Sequence, residues 1–307
     1  LWLVFLMGTV LLTGVLALYR FQTPARQQTG CSNIAAQPDY LSTESEADAI
    51  AAIDYAHSLE GLSPLHLPAH FYRLGPVRQQ FVLLNLERAA RHIAPLHLDA
   101  NLSQVAFAYS QQLLNLHFFS HTSPISGTFG ERIDANPTLA NHYALAAENL
   151  AGNPVPGAGA MYEYMYDDAA ENCGHRDTIL NPALKLVGIG WLRGGPYGSV
   201  SVQEFLSSAS WNPYTGARPD TRPPRITLRI SRSSFSFLHC QAFASDNVGV
   251  VRITWFLDHL SVRPAVTGSS WMLDLHHLAS GSHTILAYAV DGEQNYGVAR
   301  YVFTVPS

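Results

Sequence analysis

Phe118-Phe119-Ser120-His121-Thr122-Ser123-Pro124, Ala146-Ala147-Glu148-Asn149-Leu150-Ala151 and Gly174-His175-Arg176-Asp177-Thr178-Ile179-Leu180 decide how this chain is read. They place two imidazoles and a carboxylate within a short span of sequence, the donor set of a divalent-metal site or a small acid/base cleft. Helical periodicity surrounds them. Leu102, Val105, Ala106, Tyr109, Leu113 and Leu116 recur on one face of a helix expected over about 101–116. An earlier helix is expected from residue 77, with Phe81, Leu84, Leu86, Ala89 and Ala90 near one stripe and Glu87, Arg88 and Arg91 outside it. A third is expected near 158–170, and 186–191 and 200–205 read as two strands joined by a Gly-Gly-Pro-Tyr-Gly turn. Helices and strands mix without a βαβ rhythm, so this part of the chain is α+β.

Outward from this block the texture changes on both sides. Toward the N-terminus, residues 47–59 have helical spacing, Pro64, Pro68 and Pro76 break it, and 20–48 is aperiodic. Toward the C-terminus a proline-rich stretch, 213–224, precedes strict alternation: Val251, Ile253, Trp255 and Leu257 against Arg252, Thr254 and Phe256, repeated in 282–290 and 299–305. Short strands separated by turn signals predict a small β-sandwich. The chain therefore divides into 1–19, a signal peptide or membrane anchor; 20–76, a linker with one helix; 77–210, the α+β domain; 211–223, a Pro-rich linker; and 224–307, the sandwich.

Composition narrows the class of partner. A chain of 307 residues is long enough for about two domains. Only 13% of residues are charged, Lys185 is the single lysine, and the formal net charge is −5, which excludes the basic stripe a nucleic-acid binder needs. Residues 1–18 form an apolar run without charge, followed by Tyr19-Arg20. That length suits a short membrane span and a long signal segment about equally, and export is the preferred reading. The chain opens on Leu, as a clipped or alternative start would. Cys31 after Gly30 invites the reading of a lipidated signal cysteine, against which the apolar run stops well short of it. With Cys173 and Cys240 the count is three, which leaves at least one thiol without an intramolecular partner and rules out a disulfide scaffold.

The motifs in order resemble the CAP superfamily, the cysteine-rich secretory, antigen 5 and pathogenesis-related proteins, in its bacterial secreted form. The resemblance is carried by Asn85-Leu86-Glu87-Arg88, Pro95-Leu96 with Leu98, the His121 stretch with Gly127 and Arg132, the Glu148 stretch, Gly174-His175-Arg176 with Ile179-Leu180-Asn181-Pro182, Val187-Gly188-Ile189-Gly190, and Gln203-Glu204-Phe205, over roughly 78–206. It implies an α-β-α sandwich with a central antiparallel sheet and a cleft holding two histidines and two acids. The histidines are then His121 and His175 and the first acid is Glu148. The second comes from the helix before His175, where Glu163 ranks ahead of Asp167 and Asp168, and where Tyr162, Tyr164 and Tyr166 stand in place of the family's tryptophan. Residues 223–305 resemble a bacterial immunoglobulin-like domain, on Ala244-Ser245-Asp246-Asn247-Val248-Gly249-Val250 and Gly281-Ser282-His283-Thr284.

His121, Glu148, Glu163 and His175 are thus the expected metal set, with zinc as the candidate cofactor. Each has a plainer reading: the histidines as satisfied cleft residues, Glu148 as a structural carboxylate paired with Arg132 or Arg176. No HExxH pairing or nucleophile with an adjacent base is present. The tyrosine-rich segment reads as half core and half surface, or as the lining of a lipid or glycan groove. Asp246 and Asp291 read as turn residues, with calcium the alternative. The expected function is an exported CAP module, secreted or anchored at a bacterial cell surface, whose cleft binds a divalent metal and a lipid, glycan or protein ligand. A metal-dependent, peptidase-like hydrolase and a purely structural or adhesive envelope protein are the alternatives.

Overall fold

The computed structural model describes residues 45–153, 155–207, 211–214, 220, 222–234, 236–260 and 265–306. The apolar run at 1–18, Cys31 and the linker residues 215–219 lie outside the described residues. Among the described residues no helix is long and apolar enough to cross a membrane.

Helix α1, Glu46–Leu59, starts where the Ser45 side chain accepts from the Asp48 amide. Helix α2 spans Pro76–Ala90 with proline in its first turn, and α3 spans Ala100–Asn115 behind an Asp99 cap. A Thr128/Glu131 capping box opens α4, Phe129–Ala135. Helices α5, Ala158–Tyr166, and α6, Gly174–Ile179, follow. Strands β1 (His97–Leu98), β2 (Ala146–Gly152), β3 (Leu186–Arg193) and β4 (Ser199–Leu206) form one sheet in the order β1-β3-β4-β2. Only the β1–β3 pair is parallel.

Alternation along the strands sends side chains to two helical layers. Leu150, Leu186, Val200, Val202 and Leu206 meet α3 and its neighbours, while Ala151, Val187, Ile189 and Phe205 meet α1, α2 and α5. Helix α3 lies so close to β3 that a Cβ on Gly188 or Gly190 would collide with the backbone of Leu102 or Ala106, respectively.

Two helices bury more than periodicity predicts. In α2 the buried face is Gln80, Leu83, Leu84, Glu87 and Arg88, and Ala89 is exposed. Glu87 and Arg88 therefore lie within the buried stripe, not outside it as their charge suggests. Arg88 donates from Nε to the Ala94 carbonyl (2.7 Å) and from Nη1 to those of Ile179 (2.6 Å) and Asn181 (3.0 Å), so its charge is solvated by backbone. Glu87 accepts from Arg91 (2.6 Å) and Tyr166 (2.7 Å) and faces the His57 Nε2 at 3.1 Å. The other His57 nitrogen faces the Ser63 carbonyl at 2.7 Å, so both ring nitrogens face acceptors, an arrangement that favours the protonated ring. Burial opposes that charge, but Glu87 outweighs it and the His57 pKa is raised.

The tyrosines of α5 are wholly core, not half surface: Tyr162, Tyr164 and Tyr166 are all buried, with Met161 and Met165. A helix apolar on every side needs cover on every side. Helix α1 supplies part of that cover with Ala49, Ile50, Ala52, Ile53 and Ala56, so it is a core element and not a linker helix.

Residues 225–305 form seven strands in two sheets. One holds β7 (Val250–Leu257), β8 (Val266–Thr267), β10 (Gly281–Asp291) and β11 (Tyr296–Val305) in the order β11-β10-β7-β8. The other holds β5 (Arg225–Arg232), β6 (Phe237–Ser245) and β9 (Ser270–Asp274). Leu238, Cys240, Trp255, Leu273, Ile285 and Ala287 fill the space between them. Cys240 is a buried free thiol and Cys173 is disulfide-bonded, so the two do not pair with each other.

Candidate functional site

The site is built on β2, an edge strand whose side chains alternate between the two faces of the sheet. Glu148 points to the α3 side. Its Oε1 lies 2.8 Å from the His121 Nδ1, and its Oε2 accepts from the Arg132 Nη2. Arg132 is buried, stacks 3.4 Å above the Tyr109 ring, and donates from Nη1 to the carbonyls of His121 (3.2 Å) and Gly127 (2.8 Å). One guanidinium therefore orients the carboxylate and pins the backbone of the histidine that the carboxylate holds. Of the two pairings expected for Glu148, the structure shows Arg132.

Asn149, the next residue, serves the other face. Its Nδ2 donates to the His175 carbonyl (3.2 Å) at the start of α6. Two left-handed residues, Asn172 (φ 52°) and Cys173 (φ 58°), turn the chain into that helix. The turn brings the Asp168 Oδ1 to 2.7 Å from the His175 Nδ1, while Oδ2 accepts from the Arg176 amide at 3.0 Å. Asp168 is buried, and Tyr164 packs edge-on to the His175 ring at 5.4 Å.

The acid on His175 is thus Asp168, and the ranking of Glu163 ahead of it does not match the geometry. Glu163 instead accepts from the Asn153 Nδ2 at 2.6 Å. Burial pushes its carboxyl up to about 7, against the Asn153 bond and with help from the Asp167 charge. A carboxyl whose folded pKa is raised contributes stability below its ordinary value, and that contribution is lost as pH rises from about 4.5 to 7. Glu163→Gln keeps the acceptor and removes the ionisation. The variant is expected to flatten this slope and to be more stable than the parent at alkaline pH by on the order of 2–3 kcal/mol, read from urea unfolding on both sides of the window.

Glu204, within the Gln203-Glu204-Phe205 motif, also belongs to the site. It stands opposite Glu148 in the β2–β4 register, fully buried, 3.6 Å from the Arg132 Nη2. Burial first, then the Glu148 charge, raises its pKa well above the ordinary carboxyl value. Only the strand register reveals it.

Among the described residues, the one group of three or more His, Cys, Asp or Glu donors within 4.8 Å of one another is Asp220, Asp291 and Glu293, so His121, Glu148 and His175 do not close into a three-donor set. In that acidic group Asp291 accepts from both the backbone and side-chain nitrogens of Asn295 (2.8 and 2.9 Å), which is the expected turn chemistry. At His121 and His175 the fit to a metal is of another kind. A carboxylate oxygen only accepts, so each Nδ1 carries the proton and each Nε2 lone pair is left for an electrophile.

Residues 81–205 match the cysteine-rich secretory protein family, CAP, and this segment is a CAP domain. Over 124 residues the chain is 32% identical to Bacillus subtilis (strain 168) protein YkwD, covering 40% of this chain and 44% of the relative. The membrane protein YlbC of the same organism is 28% identical over 113 residues, 37% of this chain and 30% of that protein. The chain thus spans less than half the length of the curated relatives it matches. Among solved structures, an extracellular protein with an SCP domain from Bacillus anthracis is 28% identical, with a TM-score of 0.37, over 43% of this chain and 40% of that one.

Proposed function

We propose that this chain is an exported bacterial cell-envelope binding protein. Its CAP cleft offers the Nε2 atoms of His121 and His175 to a divalent cation, zinc by donor chemistry, and to the ligand or partner that completes the coordination. The observation that carries this reading is that both Nδ1 atoms lie within 2.8 Å of a carboxylate, those of Glu148 and Asp168. A buried acid behind each imidazole is the outer-shell arrangement that fixes the tautomer and strengthens a donor. Glu163 has no part in it.

An apolar groove of about 390 Å³, lined by Leu113, Leu114, Phe118, Phe119 and Tyr197, opens beside the same loop, with Phe119 two residues from His121. It suits the apolar portion of a lipid, glycan or protein ligand. The apolar run at 1–18 supports export, and the seven strands in two sheets support an immunoglobulin-like sandwich for the C-terminal unit. Calorimetric titration of zinc into the chain tests the cation reading. Stoichiometric uptake lost in the His121→Ala/His175→Ala double variant is the expected result, and no uptake by the parent contradicts it.

A further inference from the structure

We propose that the C-terminal β unit is a positioning element of the CAP cleft. The turn between β10 and β11 is built into the CAP domain through Gln112 and fixes the loop that carries His121. The inference rests on the cleft reading only in naming His121 as the residue it serves.

Gln112, on α3, is the centre of the joint. It is completely buried and uses both ends of its amide. Its Oε1 accepts from the hydroxyls of Ser123 (2.7 Å) and Ser126 (2.8 Å), in the loop that follows His121. Its Nε2 donates to the Gln294 carbonyl (2.8 Å), at the tip of the β10–β11 turn. That carbonyl is presented by a left-handed residue, φ 70° at Gln294, and the turn is closed by the Asn295 bonds to Asp291. The Gln294 side chain faces the Arg132 carbonyl at 3.4 Å, and Gln104 donates to the Glu293 carbonyl at 3.3 Å. A turn whose polar groups end inside a neighbouring domain is not the tip of a free module.

Apolar packing points the same way. Ile125, at the centre of the His121 loop, is fully buried in a cluster with Phe256, Tyr288 and Val290. Phe256 lies on the face of β7 opposite Trp255 and the inter-sheet core, and Ile125 of the CAP loop joins the cluster that buries it. At the rim, Arg252 of β7 donates to Glu131 of α4 at 2.7 Å. The loop from Ser120 to Gly127 is thus held on one side by Arg132 and Tyr109 and on the other by the β unit.

The test uses the full chain and needs no ligand. In Gln112→Glu the serine hydroxyls keep an acceptor, but the donor to the Gln294 carbonyl is lost. Amide exchange across the 120–127 loop is expected to accelerate roughly tenfold, and the His121 ring to lose its single Nδ1–H form. Val302→Thr changes an exposed residue of β11 outside the joint, and its loop exchange is expected to stay within about twofold of the parent. A folded Gln112→Glu protein with parental exchange across 120–127 overturns the proposal. In case that variant does not fold, the parent alone decides: the amides of Ser123 and Gly127 should share one denaturant dependence of exchange with those of Gln294 and Asn295. Separate opening of the turn, with the loop still protected, overturns the proposal whether or not zinc binds.

Discussion

Arg132→Met is expected to lower the free energy of unfolding by about 3–5 kcal/mol, the largest effect of any single substitution in the cleft. The side chain is completely buried between two buried carboxyls, on Glu148 and Glu204, with the Tyr109 ring beneath it. Burial opposes the charge, yet Glu148 and then Glu204 hold the guanidinium pKa above its ordinary value. Methionine fills the space but leaves the Glu148 carboxylate without a cation, and such an orphaned charge costs far more than an intact buried pair contributes. The His121 and Gly127 carbonyls lose their donor as well. Urea unfolding with an unchanged m-value and a lower midpoint reads the loss. A change below about 1 kcal/mol would mean that water or a neighbour replaces the guanidinium.

Arg88→Met is expected to cost about 3–4 kcal/mol by a different route, because no carboxylate faces Arg88 and its partners are all backbone carbonyls. Burial lowers the Arg88 pKa to about 10. The carbonyls of Ile179 and Asn181 close the end of α6, the helix that begins beside His175. Losing them should loosen the C-terminal end of α6 before the whole domain unfolds. Exchange at the Leu180 and Asn181 amides should therefore rise more steeply than at β3 amides. Uniform acceleration across the domain would contradict that local role.

These two arginines also mark what was legible in the sequence. The helix expected over 101–116 and the strands at 186–191 and 200–205 lie where the structure has α3, β3 and β4, because their apolar residues keep the period of each element even with polar residues such as Gln112 and Glu204 buried among them. Periodicity treats charge as solvent-facing and so puts Arg88 and Glu87 outside the stripe. Here tertiary carbonyls and His57 supply the solvation that water would otherwise give. The contacts of His121 with Glu148 and of Arg132 with Glu148 follow motifs that could be read. Ranking Glu163 ahead of Asp167 and Asp168 misses the acid that faces His175, since that pairing turns on two consecutive left-handed residues, Asn172 and Cys173, that propensity does not foresee. Gln112, Gln294 and Glu204 were invisible for a related reason. Each acts through a partner distant in sequence, and only strand register or domain docking brings that partner near.

The proposed cation binding requires two imidazoles held by buried carboxylates, each with its Nε2 left to bind. Long-range proton–nitrogen correlation of the histidine rings in the full chain, at mildly alkaline pH where neutral imidazole tautomers are observed, tests this directly. The predicted result is a single Nδ1–H tautomer for both His121 and His175, with the Nε2 signal of each moving on addition of zinc. A proton on Nε2 in either ring, or rapid averaging between the two tautomers, would contradict it.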